Sequence, residues 1–388
     1  VQRIATYTGG ISLSAQARTG FDNSGNCIPI VSFSGKCLDR NQEPMFEIVE
    51  ELLCQYDFSD LSRLKTLLLE YKAGLESMVI PGGHRLAMSL ASRSFSLAGA
   101  LSENWTGIHQ LKTIKALTED LSNDALEKIS GMLGAIGKIL FTPGNLKMAL
   151  IGEGSALSSA TAPIQAIQDG LGAFTEGTSG FLPPQIDMDD GRHREGWYTS
   201  SAVSFAAASF PTIRMGHEDA PVMSVISRML RSLFIHREVR EKGGAYGGYA
   251  LYNSESGMFG FSSYRDPHVV DTLSAFEAAA SFIRSGQYTD EDVKEAILQV
   301  CSDIDRPDAP GHTASRAFFR KIVSLTDETR EQYKTQLLRT DRNRVIAVAE
   351  KYFSDVEDKQ AVAVISGEEK LKSANEKLAD NPLELFKI

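Results

Sequence analysis

Residues 237–249 read REVREKGGAYGGY, and the way this stretch closes a helix decides how the rest of the chain is read. Upstream, Glu218 and Asp219 precede Pro221, a helix start with proline in the first turn. Ile226, Leu230 and Leu233 then recur at the three- and four-residue spacing of a buried stripe. Arg240 follows Leu233 by about two helical turns, which predicts a guanidinium on the apolar stripe where the helix ends. Gly243 and Gly244 stop the helix, and Tyr246 opens a strand. An arginine and a phenol hinged by two glycines can converge on one point. Each part also has an ordinary structural reading. Arg240 then only complements the helix dipole and snorkels past its neighbours. The glycines become a plain C-cap, and Tyr246 a plain strand residue.

A family resemblance weighs against that ordinary reading. The run FIHREVREKGGAYGGYA at 234–250, followed by GMFGFSSYRDPHVVDTLSAF at 257–276, resembles the C-terminal half of the pitrilysin/insulinase-type zinc metallopeptidases. Within them it is most similar to the presequence protease and falcilysin branch. The likeness continues upstream through VSFAAASFPTIRMGHEDAPVMSVISRML at 203–230 and extends more loosely to both ends. It implies a zinc metalloendopeptidase that degrades peptides, built from two halves facing each other. The N-terminal half carries the zinc on an H-x-x-E-H motif. The C-terminal half closes the peptide chamber and reaches the substrate with an Arg and a Tyr, which fall here on Arg240 and Tyr246. The resemblance thus makes both residues catalytic and substrate-binding. Attack of zinc-activated water on a peptide carbonyl creates an oxyanion, and one preorganised donor to such an oxygen is commonly worth about 3–4 kcal/mol. A phenol supplies a neutral donor and a guanidinium a forked, permanently charged one.

This sequence offers no zinc site of its own. The histidines are His84, His109, His193, His217, His236, His268 and His312, and no two stand four apart with Glu before the second. A zinc site needs three converging protein ligands and an open position. The expectation is that this chain binds no metal, that the zinc ligands lie in the other half, and that the chain alone cleaves no peptide. The histidines are read as ordinary surface or loop residues.

Composition fits a soluble intracellular protein, of the cytoplasm or an organelle matrix. With 388 residues, 42% hydrophobic and 23% charged, the chain can bury sizeable cores in two domains. Cys27, Cys37, Cys54 and Cys301 form no C-x-x-C pair and read as free thiols. No apolar run approaches the length of a membrane span. No charged leader precedes an apolar core and no initiator Met is present, so the chain reads as a fragment or processed form. A formal net charge of −10 argues against nucleic acid, which calls for a basic footprint.

Internal repetition is the second strong signal. Gly9-Gly10 before ISLSA echoes Gly247-Gly248 before YALYN, and FSGKCLD at Phe33 echoes FSSYRDP at Phe261. Gln55-Tyr56 echoes Gln287-Tyr288, ASRSF at 91–95 echoes ASRAF at 314–318, and LKMALIGE at 146–153 parallels AVAVISGE at 361–368. The offsets run 238, 228, 232, 223 and 215, drifting as small loop insertions would make them. The expectation is a tandem of two similar α+β domains. The first covers 1–174 and lacks its opening strands and helix; residues 175–195 are a linker; the second covers 196–388 and carries the Arg/Tyr motif. Arg3 and Tyr7 sit near the positions of Arg240 and Tyr246, with no glycine pair between them, and read as structural relics.

Periodicity predicts helices at 44–54, 61–78, 124–140, 160–171, 221–241, 269–284, 290–303, 315–323, 327–338 and 341–352. Strands are predicted at 11–17, 28–34, 147–152, 200–207, 246–252, 258–264 and 360–366. Mostly antiparallel sheets, each with helices packed on one face, satisfy this order. Gly131 to Ile139 misses the phosphate-loop spacing by one residue, and Ser155 lacks the flanking glycine of a nucleophile elbow. SYRDP at 263–267 also matches the family, but Arg265 and Asp266 are read as satisfying local backbone where a strand turns into a helix. Two functions remain open. The chain is the zinc-free half of a peptidase, partnered by its catalytic N-terminal half and by unfolded peptide, or a separately encoded non-catalytic partner or scaffold subunit. Neither involves a membrane.

Overall fold

In the computed structural model, which describes residues 2–22, 25–171 and 192–388, the strands sort into two sheets. β1 (Ile11–Thr19) and β2 (Cys27–Gly35) form an antiparallel ribbon. The other six are β3 (Arg194–Tyr198), β4 (Phe205–Pro211), β5 (Gly247–Asn253), β6 (Met258–Tyr264), β7 (Ala361–Ser366) and β8 (Glu384–Lys387). They lie in the order β5-β6-β4-β7-β3-β8. Pairing is antiparallel from β5 to β7, and β3 runs parallel to both β7 and β8. With helices supplying most of the rest, the chain is α+β.

Burial on both faces explains the large sheet. Along β4, Ala206, Ala208 and Phe210 join the main core of the second half, which includes the helices Ala220–Met229 and Val270–Ser285. The alternate residues Phe205 and Ala207 pack instead with Ala87, Leu90 and Ala91 of Gly83–Ser92, a helix from the first half. On β7, Val362 and Val364 face one core, Ala363 and Ile365 the other. Strands buried on both faces read as unbroken apolar runs, without the alternation that marks a half-buried strand. That is why the strand expected at 200–207 lies later, at Phe205–Pro211. Small residues set the closeness of the contact. A Cβ on Gly83 would lie 2.4 Å from the Phe205 ring.

Charged groups tie the two halves as well. Arg93 forks onto Glu195 at 2.5 and 2.9 Å, and the Trp197 indole donates to the same carboxylate at 2.8 Å. Arg18 at the end of β1 forks onto Glu255 in the β5–β6 turn at 2.6 and 2.9 Å. All four cysteines are free.

The element order repeats in part. A helix ends just before a glycine pair at Tyr7 and again at Lys242, and an antiparallel hairpin follows each time. Arg3 pairs on the surface with Glu47 and Glu51. Leu61–Met78 and Asp327–Leu338 take the bounds that periodicity predicts. The predicted strand at 147–152 does not form. Its counterpart β7 lies between β3 and β4, whereas among the described residues the first half has no strand to flank 147–152, so its backbone finds no ladder. Leu150 and Ile151 stay exposed. The linker expected at 175–195 lies largely outside the described residues, and its last two positions already belong to β3. The short helices Gly83–Ser92, Leu97–Thr106 and Ile108–Leu117 have no counterpart among the predicted elements, because runs of ten residues carry little periodic signal.

Candidate functional site

The helix Ala220–Met229 continues directly into a π-helix, Leu230–Lys242. Hydrogen bonds from i to i+5 put more residues into each turn than the 3.6 of an α-helix. The buried stripe therefore runs through Ile226, Leu230, Ile235 and Val239. The expectation that Arg240 lies on that stripe is wrong by one residue. Val239 takes the last buried place and Arg240 faces solvent. A π-helix has no signature in the apolar spacing that an α-helical reading can detect. Such segments recur at functional sites.

Exposure leaves Arg240 braced by its own helix. Its Nη1 donates to His236 Nε2 at 3.0 Å. His236 Nδ1 lies 3.2 Å from Glu241 Oε1, so an imidazole that accepts at Nε2 donates at Nδ1. The chain then leaves the helix through backbone bonds from Gly243 to Glu238 and Gly244 to Arg240, both 3.0 Å, and from Ala245 to Val239 at 3.1 Å. Gly244 adopts φ +74, a region that glycine enters freely. At Gly243 a Cβ would lie 2.6 Å from the Val239 carbonyl oxygen.

Tyr246 emerges from this turn with 72% of its surface exposed. Its backbone N–H donates to the Tyr264 carbonyl at 3.0 Å, and its ring meets the Tyr264 ring edge-on at 6.0 Å. Tyr264 in turn meets His84 edge-on at 4.8 Å, and His84 stacks on Tyr249 at 5.9 Å. His84 thus belongs to an aromatic wall, which corrects its reading as a surface or loop histidine. Burial, with Arg85 nearby, pushes its pKa down and keeps the ring neutral. No signal in the sequence points to His84, since its partners are 165 and 180 residues away.

The SYRDP segment divides into two roles. Asp266 is buried, accepting from the His268 backbone at 2.9 Å and the Thr272 hydroxyl at 2.7 Å. Burial pushes its carboxyl pKa above the usual range, against the pull of those donors. The expected backbone role therefore holds for Asp266. Arg265 differs, being exposed with its guanidinium 5.6 Å from the Tyr264 ring centre. Among the described residues, no three His, Cys, Asp or Glu side chains converge as metal ligands would.

Known proteins resemble this chain along its length. Two family profiles match, a peptidase-associated domain over residues 1–117 and the PreP C-terminal domain over residues 200–368. The mitochondrial presequence protease of Danio rerio is 28% identical over 387 residues, covering 95% of this chain and 37% of that protein. The Mus musculus presequence protease is 25% identical, covering 100% of this chain and 39% of its own length. The chain thus spans under two fifths of these curated relatives. Among solved structures, pitrilysin superposes with a TM-score of 0.60 at 14% identity, covering 98% of this chain and 38% of that one. A protease from Helicobacter pylori reaches 0.63 at 12% identity, covering 94% and 83%. At such identities the structural likeness concerns the fold alone.

Proposed function

Because the chain belongs to the presequence-protease branch of the pitrilysin-type zinc metallopeptidases, we propose that it is the C-terminal, zinc-free half of a peptide-degrading metalloendopeptidase. On this reading it closes the peptide chamber against a zinc-bearing N-terminal half. Residues 1–174 and 196–388 then act as two copies of one unit. The matrix of an organelle is the compartment we infer, from the mitochondrial relatives; no helix among the described residues is long and apolar enough to cross a membrane.

The observation that carries the proposal is the pairing of exposure with anchorage at Arg240 and Tyr246. Tyr246 offers its phenol to solvent while its backbone is fixed to β6. Arg240 offers a fork braced by His236. Donors held in place before the reaction stabilise charge that appears in the transition state without reorganising. Tyr246 donates to the oxyanion formed when a peptide carbonyl is attacked, and Arg240 holds that carbonyl or its neighbour in the chain. The test is Tyr246→Phe in the complete enzyme, which keeps the ring and removes one donor. Turnover should fall about 10²-fold at little-changed KM. Undiminished turnover ends the role of Tyr246.

A further inference from the structure

Arg265 stands in the left-handed region with φ 50, where a residue with a side chain costs free energy and glycine does not. Such a conformation persists only where its surroundings over-determine it, and it clusters at functional sites. The surroundings here are firm. Ser204 and Asp266 exchange backbone hydrogen bonds at 2.8 Å in both directions, and the Asp266 carboxylate is held by His268 and Thr272. On the other side, the Arg265 carbonyl accepts from the Tyr246 N–H at 3.4 Å, alongside the shorter bond to Tyr264. Nothing in this scaffold needs the arginine side chain. It is exposed, lies over the Tyr264 ring at 5.6 Å, and no carboxylate among the described residues pairs with it.

A strained arginine with no carboxylate of its own, on the ring that backs Tyr246, is a guanidinium presented outward. We propose that Arg265 is a specificity-determining residue that binds a carboxylate of the bound peptide through its fork. The planar guanidinium matches a carboxylate with two parallel hydrogen bonds. The rest of the protein, at a formal net charge of −10, repels such a group, so the local cation discriminates. The carboxylate is an acidic side chain or the free C-terminus of the peptide. This rests on the reading that the Tyr246 surface meets peptide.

Arg265→Gly tests it in the complete enzyme, because glycine keeps the backbone and removes only the fork. The melting temperature should rise by about 1–4 °C as the strain is relieved. At the same time KM for a peptide bearing acidic residues and a free C-terminus should rise about tenfold with kcat little changed. Arg265→Lys keeps charge without the fork and should fall between the two. Amidating the peptide C-terminus, or replacing its Asp and Glu by Asn and Gln, should abolish the difference in one arm and so identify which carboxylate is read. Unchanged KM for the fully carboxylated peptide in Arg265→Gly overturns the proposal, as does a difference that survives in the doubly neutralised peptide. A fall in melting temperature overturns it too, since the side chain would then serve the fold. Failure of the Tyr246 reading shows separately, as full turnover in Tyr246→Phe.

Discussion

The Arg240 guanidinium donates to the Nε2 of His236, one turn earlier on the same π-helix, at 3.0 Å. His236 passes the contact on to Glu241 through Nδ1 at 3.2 Å. The side chain proposed to hold the substrate is thereby aimed by its neighbours, with no contribution from the core.

Arg240→Lys keeps a charge at that position but cannot reproduce the fork. In the complete enzyme we expect kcat/KM to fall by about 10²-fold or more, with KM rising. His236→Ala leaves the guanidinium in place but unbraced, and kcat/KM should fall several-fold only. Because both residues face solvent, circular dichroism melts should stay within about 2 °C of the parent. Near-parental kinetics in Arg240→Lys, with a lowered melting temperature, would restore the plain helix-cap reading.

The Arg93–Glu195 pair tests how firmly the halves are joined. Both side chains are mostly buried and Trp197 shares the carboxylate. Glu195→Gln leaves a charged Arg93 in a desolvated place, which costs about 3–5 kcal/mol by analogy with broken buried pairs. Urea titration should show a correspondingly lower midpoint. A loss under about 1 kcal/mol would mean that water reaches Arg93.

Gly83→Ala probes the same seam sterically. Its new Cβ meets the Phe205 ring at 2.4 Å, beneath a strand that cannot move away without disturbing β6 and β7. Overpacking of this kind costs about 1–3 kcal/mol. The companion change Phe205→Leu should recover part of it in a double-mutant cycle. Additive losses would show that the two residues do not touch.

Asp219 gives the pH dependence. Burial pushes its carboxyl pKa up, but bonds from Lys351 and Tyr352 and the charge of Arg344 outweigh burial and hold it below the usual range. A carboxyl with a depressed folded pKa contributes stability above its unfolded pKa, about 3.9, and loses it as pH falls through the folded value. Asp219→Asn should therefore lower stability at neutral pH by about 1–3 kcal/mol. It should also flatten the decline of stability below about pH 4, as followed by fluorescence. An acid limb identical to the parent's would remove Asp219 from the balance.

The sequence by itself determined the elements whose signal is local. Apolar periodicity placed Leu61–Met78 and Asp327–Leu338 at their observed bounds, and the NSESG turn placed the β5–β6 hairpin. The motif around Arg240 and Tyr246 was legible because a helix, a glycine pair and a strand stand next to each other in the chain. Tertiary structure decided the rest. Only packing showed that Val239 lies inside and Arg240 outside, since the π-helix shifts the register without changing the residues that an α-helical reading counts. Only the neighbouring strands decided that Ala361–Ser366 ladders while its echo at 147–152 does not, because a strand is stable only with partners. The wall of Tyr246, Tyr264, His84 and Tyr249 unites residues from both halves. Contacts between residues so far apart in the chain leave no periodic trace, so no spacing could have announced them.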